Sequence, residues 1–329
     1  MSLQFMFYSI RHSTRFRFSE PVRQNIMEVM VQPRSEGGQM LRSFSLDIEP
    51  ATRPFLRRDW MGNIVHHFDV PGEHTSLAVI SESLVEVAPP APLPDALGED
   101  GWNALDELTR FEDHWDFLLE SKFPRTTPLL LEFARELDLT RRDDPLSFVR
   151  RLNHQIFEAF SYVPQATQAD SPIDVALEGR KGVCQDYTHI LIALLRHIGM
   201  PARYVSGYLY HRADSGDRSI SDATHAWIEV LLPELGWIGF DPTNDLECGE
   251  RHIRTAIGRD YADVPPTKGV YIRRSGKITS EIKVAVHVSP AEAPRPEELE
   301  PLGAAWFAVP NAALNWSDGT EEIAVQQQQ

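Results

Sequence analysis

The chain of 329 residues contains two cysteines, Cys184 and Cys248, and the first has the surroundings of a reactive thiol. Cys184 directly precedes an apolar stripe with helical spacing that ends at Gly199, a residue type common at helix C-termini. The pattern predicts that Cys184 lies at a helix N-terminus, where backbone N–H groups and the helix dipole stabilise a thiolate and can hold an oxyanion. Gly182, two residues earlier, would let a substrate backbone approach the sulfur.

A thiol nucleophile needs a base, and two histidines are candidates. His189 lies about 140° around the predicted helix from Cys184, so it faces elsewhere and is expected to be structural. His225 begins an alternating stretch that predicts a strand, and Asp241 ends the next predicted strand after a short turn. The two share a face only if the connecting loop has an odd number of residues or a bulge intervenes. Asp241 could then fix the tautomer of His225 and stabilise its imidazolium.

Several separated segments resemble, in order, the bacterial transglutaminase-like superfamily. These segments are Gly182-Val183-Cys184-Gln185-Asp186, 199–208, 225–230, Gly236-Trp237 and Phe240-Asp241-Pro242-Thr243. The resemblance implies an α+β fold with a papain-like core, in which helices pack on an antiparallel sheet. It also implies that Cys184 is the nucleophile, His225 the general base and Asp241 its orienting carboxylate. The implied chemistry is acyl transfer on an amide or peptide carbonyl through a thioester, without a cofactor.

Further site residues follow from the same resemblance. In the family, an aromatic or polar group upstream of the cysteine helps to hold the oxyanion, and Tyr162 or Gln165 could do this here. An alternative role for Tyr162 is that of a core aromatic residue. Gln185, next to the cysteine, and Trp227, on the strand face of His225, complete the residues expected to bind the oxyanion or the substrate.

The chain divides at a proline-rich segment. Residues 1–87 consist of short alternating or β-branched stretches separated by Pro, Gly and Asn, which predicts an antiparallel β-sandwich. This region resembles the N-terminal domain that accompanies the core in bacterial members. Residues 88–100 begin as a stiff polyproline-like linker. Residues 101–290 are expected to form the catalytic core, and residues 291–329, which are rich in Pro and Glu and end in four Gln, a partly mobile extension.

Helical periodicity predicts three helices at the start of the core, over 102–120, 128–137 and 145–160. Asp143 or Asp144, directly before a proline, provides the N-terminal signature of the third. The aromatic residues in these helices are expected to be core residues.

The formal net charge of −16 argues against nucleic acid or an anionic membrane as the main partner, because phosphate binding needs clustered Lys and Arg. The first 60 residues hold nine Arg and six acidic residues, so the acidic excess belongs to the part with the site. This favours a neutral or basic peptide or protein substrate. The N-terminal residues lack the basic start of a secretory signal, and we expect a cytoplasmic protein.

Several functions remain open at this stage. Hydrolysis by a transglutaminase-like peptidase or amidohydrolase is the leading hypothesis, and a protein-glutamine transglutaminase or deamidase would use the same three residues. The sequence shows no calcium-binding loop of the Asp/Asn/Gly type, which weakens a calcium-dependent cross-linker. A third hypothesis is a binding module with a vestigial site. Metal binding is not expected, because Cys248 and His252 offer one pair of ligands where zinc needs three or four.

Overall fold

A computed structural model describes residues 5–110, 112–212, 214–273, 278–295 and 320–324 of the chain. The α-helices of this part are α1 Gly101–Leu108, α2 Pro128–Glu136, α3 Pro145–Ala159, α4 Ile173–Gly179 and α5 Cys184–His197, with a 3₁₀ helix at Glu112–Phe117. The strands are β1 Met6–Val29, β2 Gln39–Glu49, β3 Phe55–Arg58, β4 Ile64–Val87, β5 Ser161–Tyr162, β6 Lys181–Gly182, β7 Ala202–Leu209, β8 His225–Leu232, β9 Gly236–Asp241, β10 Leu246–Glu247, β11 His252–Gly258, β12 Thr267–Ile272, β13 Ser280–Ala291 and β14 Thr320–Ala324. Among the described residues, none of the helices is long and apolar enough to cross a membrane.

The N-terminal region is an antiparallel β-structure, as predicted, and its strands form one continuous sheet. Strands β1 and β4 are each 24 residues long and pair with each other along most of their length. The sequence pattern predicts two short strands in place of each of them, because Pro21 and the Pro71-Gly72 pair interrupt the alternation. In the structure, register shifts between Arg17 and Gln24 absorb these interruptions, and such bulges let a strand bend without ending.

The chain returns to the N-terminal sheet after it has formed a second sheet, here called the catalytic sheet, from strands β7 to β11. Strands β12 and β13 lie within residues 267–291, nearly all of them predicted as part of the catalytic core, yet both pair with β1. Alternation predicts that a segment is a strand but does not predict which strand it pairs with. The edge of β1 that does not pair with β4 is available to β12 and β13. The expected mobile extension, residues 291–329, lies mostly outside the described residues, although its strand β14 pairs with β12.

The predicted linker crosses the back of the catalytic sheet. Residues 88–94 form neither helix nor strand, as the prolines require. The Arg150 side chain in α3 donates hydrogen bonds to the carbonyl groups of Pro94 and Asp95, at 3.1 and 2.6 Å, and so fixes the end of this segment. A cavity of about 750 Å³ separates the linker from the sheet, and Trp227, Cys248 and His252 are among the residues that line it.

The catalytic region is a five-stranded antiparallel sheet, ordered β10-β9-β8-β7-β11, with the helices packed on one face. This confirms the expected α+β core. Every residue of α5 from Cys184 to Arg196 is buried, so this helix is the centre of the region. It ends as predicted, with Gly199 in the left-handed conformation at φ 81°.

The other helices agree with the sequence patterns in part. The Asp144 side chain accepts hydrogen bonds from the backbone of Leu146 and Ser147 and caps α3, as expected. The first predicted helix, over 102–120, is wrong in its length. Its described part is α1, which ends at Leu108, followed by the separate 3₁₀ helix.

Candidate active site

Cys184 is the first residue of α5, where the sequence placed it. Val183 before it has extended backbone angles, so the chain enters the helix directly at the thiol. The Cys184 side chain is 1 % exposed. Its position gives it the positive end of the helix dipole and the first-turn N–H groups, both of which favour negative charge on sulfur or on a nearby oxygen.

The β8–β9 hairpin satisfies the condition for a shared face. Leu232 pairs with Gly236, which leaves the three residues 233–235 as the loop, an odd number. The same register places Asp241 across from Trp227, two residues after His225. Since the side-chain period of a strand is two, His225 and Asp241 point to the same face.

His225 and Asp241 form a buried pair. His225 Nε2 donates a hydrogen bond to Asp241 Oδ2 at 2.7 Å, and the two side chains are 2 % and 0 % exposed. Cys184, on another element, α5, lies close enough to His225 to raise the pKa of its imidazole. Because Nε2 is engaged by Asp241, Nδ1 is the ring nitrogen left for proton exchange with the thiol. The three predicted residues therefore meet in one Cys–His–Asp arrangement.

The charge of Asp241 decides the protonation of His225. Burial alone would lower the pKa of His225, but the Asp241 charge and hydrogen bond, with a further contribution from Cys184, raise the pKa to about 10. Burial would likewise raise the pKa of Asp241, and the interaction with His225 instead holds it far below its ordinary value. At neutral pH this pair is an imidazolium and a carboxylate, so a positive charge lies next to the cysteine.

Asp241 is held by more groups than the sequence indicated. Its Oδ1 accepts hydrogen bonds from the backbone N–H groups of Thr243 and Asn244, at 3.0 and 3.3 Å. Its Oδ2 accepts from Asn244 Nδ2 at 2.8 Å and from His252 Nε2 at 3.3 Å, in addition to His225. Five donors thus fix the orientation of one carboxylate.

The sequence did not connect Asn244 or His252 with Asp241, and it offered His252 only as a metal ligand paired with Cys248. An aspartate followed within three residues by Thr and Asn is a signal for a side-chain-stabilised turn, so Asn244 could have been found. Asn244 also accepts from the backbone of Arg218 and Ser219, which ties the loop before β8 to Asp241. His252 carries no such local signal, since it reaches Asp241 only through the pairing of β11 with β7.

Tyr162 lies beside the nucleophile, whereas Gln165 is on the exposed loop that follows. Burial raises the pKa of Tyr162, and Cys184 adds to this shift, which shows that the phenol is close to the thiol. The Tyr162 phenol also forms a hydrogen bond with the backbone of Ile220, in the loop before β8. Gln165 is exposed and has a left-handed backbone, with φ 63°. Of the two oxyanion candidates, Tyr162 has the better position.

Gln185 has a different environment from the expected one. Its side chain is buried and donates to the Ala169 carbonyl at 2.8 Å, so it fastens a loop to the helix. Asp186 does the same, because it accepts from Thr167 Oγ1 at 2.5 Å. Burial raises the pKa of Asp186 to about 6, while Thr167 and the Val183 backbone lower it in part. The two residues after Cys184 thus hold the loop that begins at Tyr162.

Trp227 also differs from its prediction as a substrate-binding residue. It is 1 % exposed, and its ring packs against His225 and His252 with centroid distances of 6.0 and 5.2 Å. Gly207 on β7 makes this possible, since a Cβ there would lie 2.5 Å from the indole ring. Trp227 therefore supports the two imidazole rings from behind the site.

His189 is structural, as predicted. It is 1 % exposed, stacks on Phe123 at a centroid distance of 4.9 Å and accepts a hydrogen bond from the Tyr261 backbone at 3.2 Å. Burial lowers its pKa to about 3. It is a neutral histidine of the core and has no role as the base.

One group of described residues has the composition of a metal site. The ligand atoms of His225, Asp241 and His252 lie within 4.8 Å of one another, and all three residues are buried. Both imidazole Nε2 atoms face the same carboxylate oxygen as hydrogen-bond donors. A metal would require both nitrogens as lone-pair donors, so this geometry is explained by hydrogen bonding to Asp241. Cys248, the other thiol considered, is not a member of this group.

Comparisons with known proteins identify the family of the chain. Residues 132–242 match the transglutaminase-like superfamily, and residues 8–86 match the bacterial transglutaminase-like N-terminal region. An uncharacterized protein of Mycobacterium tuberculosis is 36 % identical over 296 residues, which cover 87 % of this chain and 93 % of that protein. A protein-glutamine gamma-glutamyltransferase of Pseudomonas aeruginosa is 33 % identical over 136 residues, 36 % of this chain and 19 % of that enzyme.

A solved structure has the same fold. It is that of a candidate cysteine protease from Cytophaga hutchinsonii, with a TM-score of 0.70 and 18 % identity, and the match covers 89 % of this chain and 93 % of that one. The likeness extends over both the N-terminal sheet and the catalytic sheet. The chain belongs to the transglutaminase-like superfamily, in the bacterial form that carries the transglutaminase-like N-terminal region.

Proposed function

We propose that the chain is a cysteine-dependent amidohydrolase or peptidase that cleaves amide bonds through a thioester on Cys184. Membership of the superfamily supports cysteine-dependent acyl transfer in general. The observation that carries the specific proposal is the meeting of three groups from three elements. Cys184 starts α5, His225 starts β8, and Asp241 ends β9; His225 is hydrogen-bonded to Asp241, and Cys184 is close enough to raise the pKa of His225.

In the first step, the Cys184 thiolate attacks the carbonyl carbon of the substrate amide. A C–S bond forms while the carbonyl π electrons move to oxygen. The tetrahedral intermediate then collapses, the C–N bond breaks, and the leaving nitrogen takes the proton of the His225 imidazolium. The products of this step are a free amine, a Cys184 thioester and a neutral His225.

In the second step, water attacks the thioester. His225 removes a proton from the water as the C–O bond forms, and the C–S bond breaks as the second intermediate collapses. The cysteine leaves as a thiolate, and the imidazolium on His225 is restored. Asp241 stabilises the imidazolium in both steps and is not itself protonated.

The oxyanion of each intermediate would lie between the helix N-terminus and Tyr162. The first-turn N–H groups of α5 point towards negative charge at this end, and a phenol that keeps its proton can donate to oxygen. The raised pKa of Tyr162 means that it stays protonated over the working range of the enzyme.

Water is the acceptor that the proposal favours, because its concentration far exceeds that of any amine unless the thioester is shielded. Val163 and Ile220, beside Tyr162, are 38 % and 40 % exposed, so solvent reaches the edge of the site, although Cys184 itself is 1 % exposed.

A protein-glutamine transglutaminase or deamidase is the second candidate. Its support is the identity of 33 % with the protein-glutamine gamma-glutamyltransferase of Pseudomonas aeruginosa, whose matched segment covers 36 % of this chain. The same thioester would form from a glutamine side chain and release ammonia. A lysine amine, in place of water, would then give a cross-link.

The substrate is proposed to be a neutral or basic peptide or protein. The chain carries a formal net charge of −16, and a surface of this sign attracts cationic chains and repels acidic ones. Such steering weakens as salt is added, because the Debye length shortens.

The experiment uses a peptide library derived from whole-proteome digests together with a biotinylated primary amine. After incubation with the protein, mass spectrometry separates three products: new peptide termini, biotinylated glutamine, and glutamate in place of glutamine. We expect new termini, with turnover reduced on the order of 10³-fold or more in Cys184→Ala.

The matched control is Cys248→Ala, which removes the other thiol of the chain and should keep the wild-type products. Turnover that survives Cys184→Ala would contradict the proposal. Biotinylated glutamine without new termini would replace hydrolysis by amine transfer at the same site. A wild-type protein that yields none of the three products would favour a binding module.

A further inference from the structure

His252 is buried within the site, and the roles proposed for Cys184, His225 and Asp241 do not explain its presence there. It is the first residue of β11, its side chain is 3 % exposed, and its Nε2 lies 3.3 Å from Asp241 Oδ2. It also lines the cavity between the linker and the sheet. The hydrogen bond to Asp241 connects it to the catalytic groups.

The hydrogen bonds of His252 fix where its proton lies. The backbone N–H of Gly249 donates to His252 Nδ1 at 3.3 Å, so Nδ1 is an acceptor and carries no proton. The proton is then on Nε2, which faces Asp241. Burial lowers the pKa of His252, although Asp241 opposes this, and the ring is a neutral donor at physiological pH.

Three donors share Asp241 Oδ2: His225, Asn244 and His252. Each N–H that a carboxylate oxygen accepts disperses part of its charge, which weakens its hold on the other partners. We propose that His252 is a positioning residue that shares Asp241 Oδ2 with His225 and thereby limits how strongly the carboxylate holds the imidazolium proton.

The reaction supplies a reason for limiting how strongly Asp241 holds the His225 proton. His225 must release its proton to the leaving nitrogen in each turnover, and a general acid works best when its affinity for the proton matches the working pH. Without the hydrogen bond from His252, the Asp241 carboxylate would hold the His225 proton more firmly. A neutral donor such as His252 moderates the pair without adding a charge that would repel the imidazolium.

The remaining ionisable groups around this cluster come from several elements. They are Cys184 on α5, His211 after β7, Arg251 directly before His252, and Cys248 and Glu229 on the face of the sheet that bears Trp227. Glu229 is neutralised by Arg203 and Arg254. Arg251 is paired with Asp217. Asp241 is thus the acidic group that His225 and His252 both contact.

The first test reads the tautomer directly in the unaltered protein. Nitrogen-15 NMR of histidine-labelled protein distinguishes a protonated from an unprotonated ring nitrogen. We expect His252 as the neutral Nε2–H form at pH values above the ordinary histidine pKa of about 6.5, because its own pKa is lowered. A His252 protonated at Nδ1 with a bare Nε2 would overturn the proposal, and no variant has to fold for this result.

The second test needs no substrate. The rate of alkylation of Cys184 by iodoacetamide, followed on the Cys184 peptide by mass spectrometry, is measured across pH. Its alkaline inflection reports the loss of the imidazolium proton. We expect His252→Phe to move this inflection upward by about 0.5 to 1 pH unit, the equivalent of one neutral hydrogen bond. His252→Gln keeps a donor of similar reach and should stay close to the wild type.

The inference rests on the proposed function, but the two fail in different ways. Turnover that survives Cys184→Ala refutes the proposed function and does not change the alkylation profile. An unmoved inflection in His252→Phe, with rates lowered equally at every pH, would show that His252 only supports the fold. Equal upward shifts in His252→Phe and His252→Gln would show that the donor is not the cause. Either result overturns the inference.

Discussion

Two buried histidines of the N-terminal sheet and the buried His225 of the catalytic sheet have opposite charge states. In the N-terminal sheet, His12 and His66 are each 2 % exposed, and burial lowers the pKa of each to about 4. In the catalytic sheet, His225 is equally buried, yet its pKa is raised to about 10. The same side chain at the same depth is therefore neutral in one region and charged in the other.

The partners account for the difference. His12 contacts the hydroxyl groups of Tyr208 and Thr14, and His66 contacts the Gln32 amide oxygen at 2.9 Å. These partners are neutral groups and do not compensate a charge. Of these three histidines, only His225 contacts a buried carboxylate, and that carboxylate is itself held by four further donors. Burial makes a histidine inert unless an equally buried anion accompanies it.

The largest expected effect comes from removing that anion. Asp241→Asn should give His225 the environment of His12, so that the pKa of His225 falls and its imidazolium is lost at neutral pH. We expect turnover to fall on the order of 10³- to 10⁴-fold, as measured by single-turnover kinetics on a cleaved peptide. Asp245→Asn, a matched change in the same turn, should keep most of the activity. Similar losses in both variants would show that the turn, and not the charge, matters.

The second prediction concerns stability against pH. For His12, the unfolded chain binds a proton between the folded pKa of about 4 and the ordinary 6.5, so the free energy of unfolding falls as pH drops through this window. For His225 the sign is opposite: the folded state keeps its proton up to about pH 10, and the free energy of unfolding falls as pH rises above 6.5.

His12→Gln should therefore flatten the acid side of the stability profile alone. The slope of the unfolding free energy between about pH 4.5 and 6 should decrease by up to about 1.4 kcal/mol per pH unit, the equivalent of one proton. Urea unfolding at several pH values measures this slope. His197→Gln, at the exposed end of α5, is the control. An unchanged slope in His12→Gln would mean that His12 is already protonated when folded.

The smallest expected effect is the reverse experiment, which adds an anion to the N-terminal sheet. Gln32→Glu changes the oxygen that His66 contacts into a carboxylate of the same shape. Because Gln32 is half-buried and solvent screens the new charge, we expect the pKa of His66 to rise by about one unit, as read by NMR titration. Turnover should not change. A constant pKa would show that a carboxylate at this contact is not enough.

The catalytic triad was predictable because its signals are local. The helix start at Cys184, the alternation that begins at His225 and the three-residue loop before β9 are each visible within a short segment. The family resemblance joined them. Their roles in catalysis stay a prediction until the variants are measured, as does the cytoplasmic location expected from the N-terminal residues.

Other features depend on contacts between distant segments and could not be read from the sequence. His252 reaches Asp241 only because β11 pairs with β7 at the edge of the sheet. Trp227 lies on the expected strand face, but its burial depends on the missing side chain of Gly207 opposite. Gln185 follows the nucleophile as expected, but its side chain points to the Ala169 carbonyl, to which it donates a hydrogen bond. The alternation of a sequence predicts the face of the strand on which a side chain lies. The exposure of that side chain depends on which other segments pack against the face.

The return of the chain to β1 has a consequence for the order of folding. Strand β1 precedes the catalytic sheet in the chain, but its partners β12 and β13 are made only after the whole catalytic sheet. Until then one edge of a 24-residue strand lacks these partners, and such an edge invites pairing with other chains. The catalytic sheet, built from neighbouring segments, can close earlier. We expect the N-terminal sheet, whose synthesis starts before that of the catalytic sheet, to complete its fold after it.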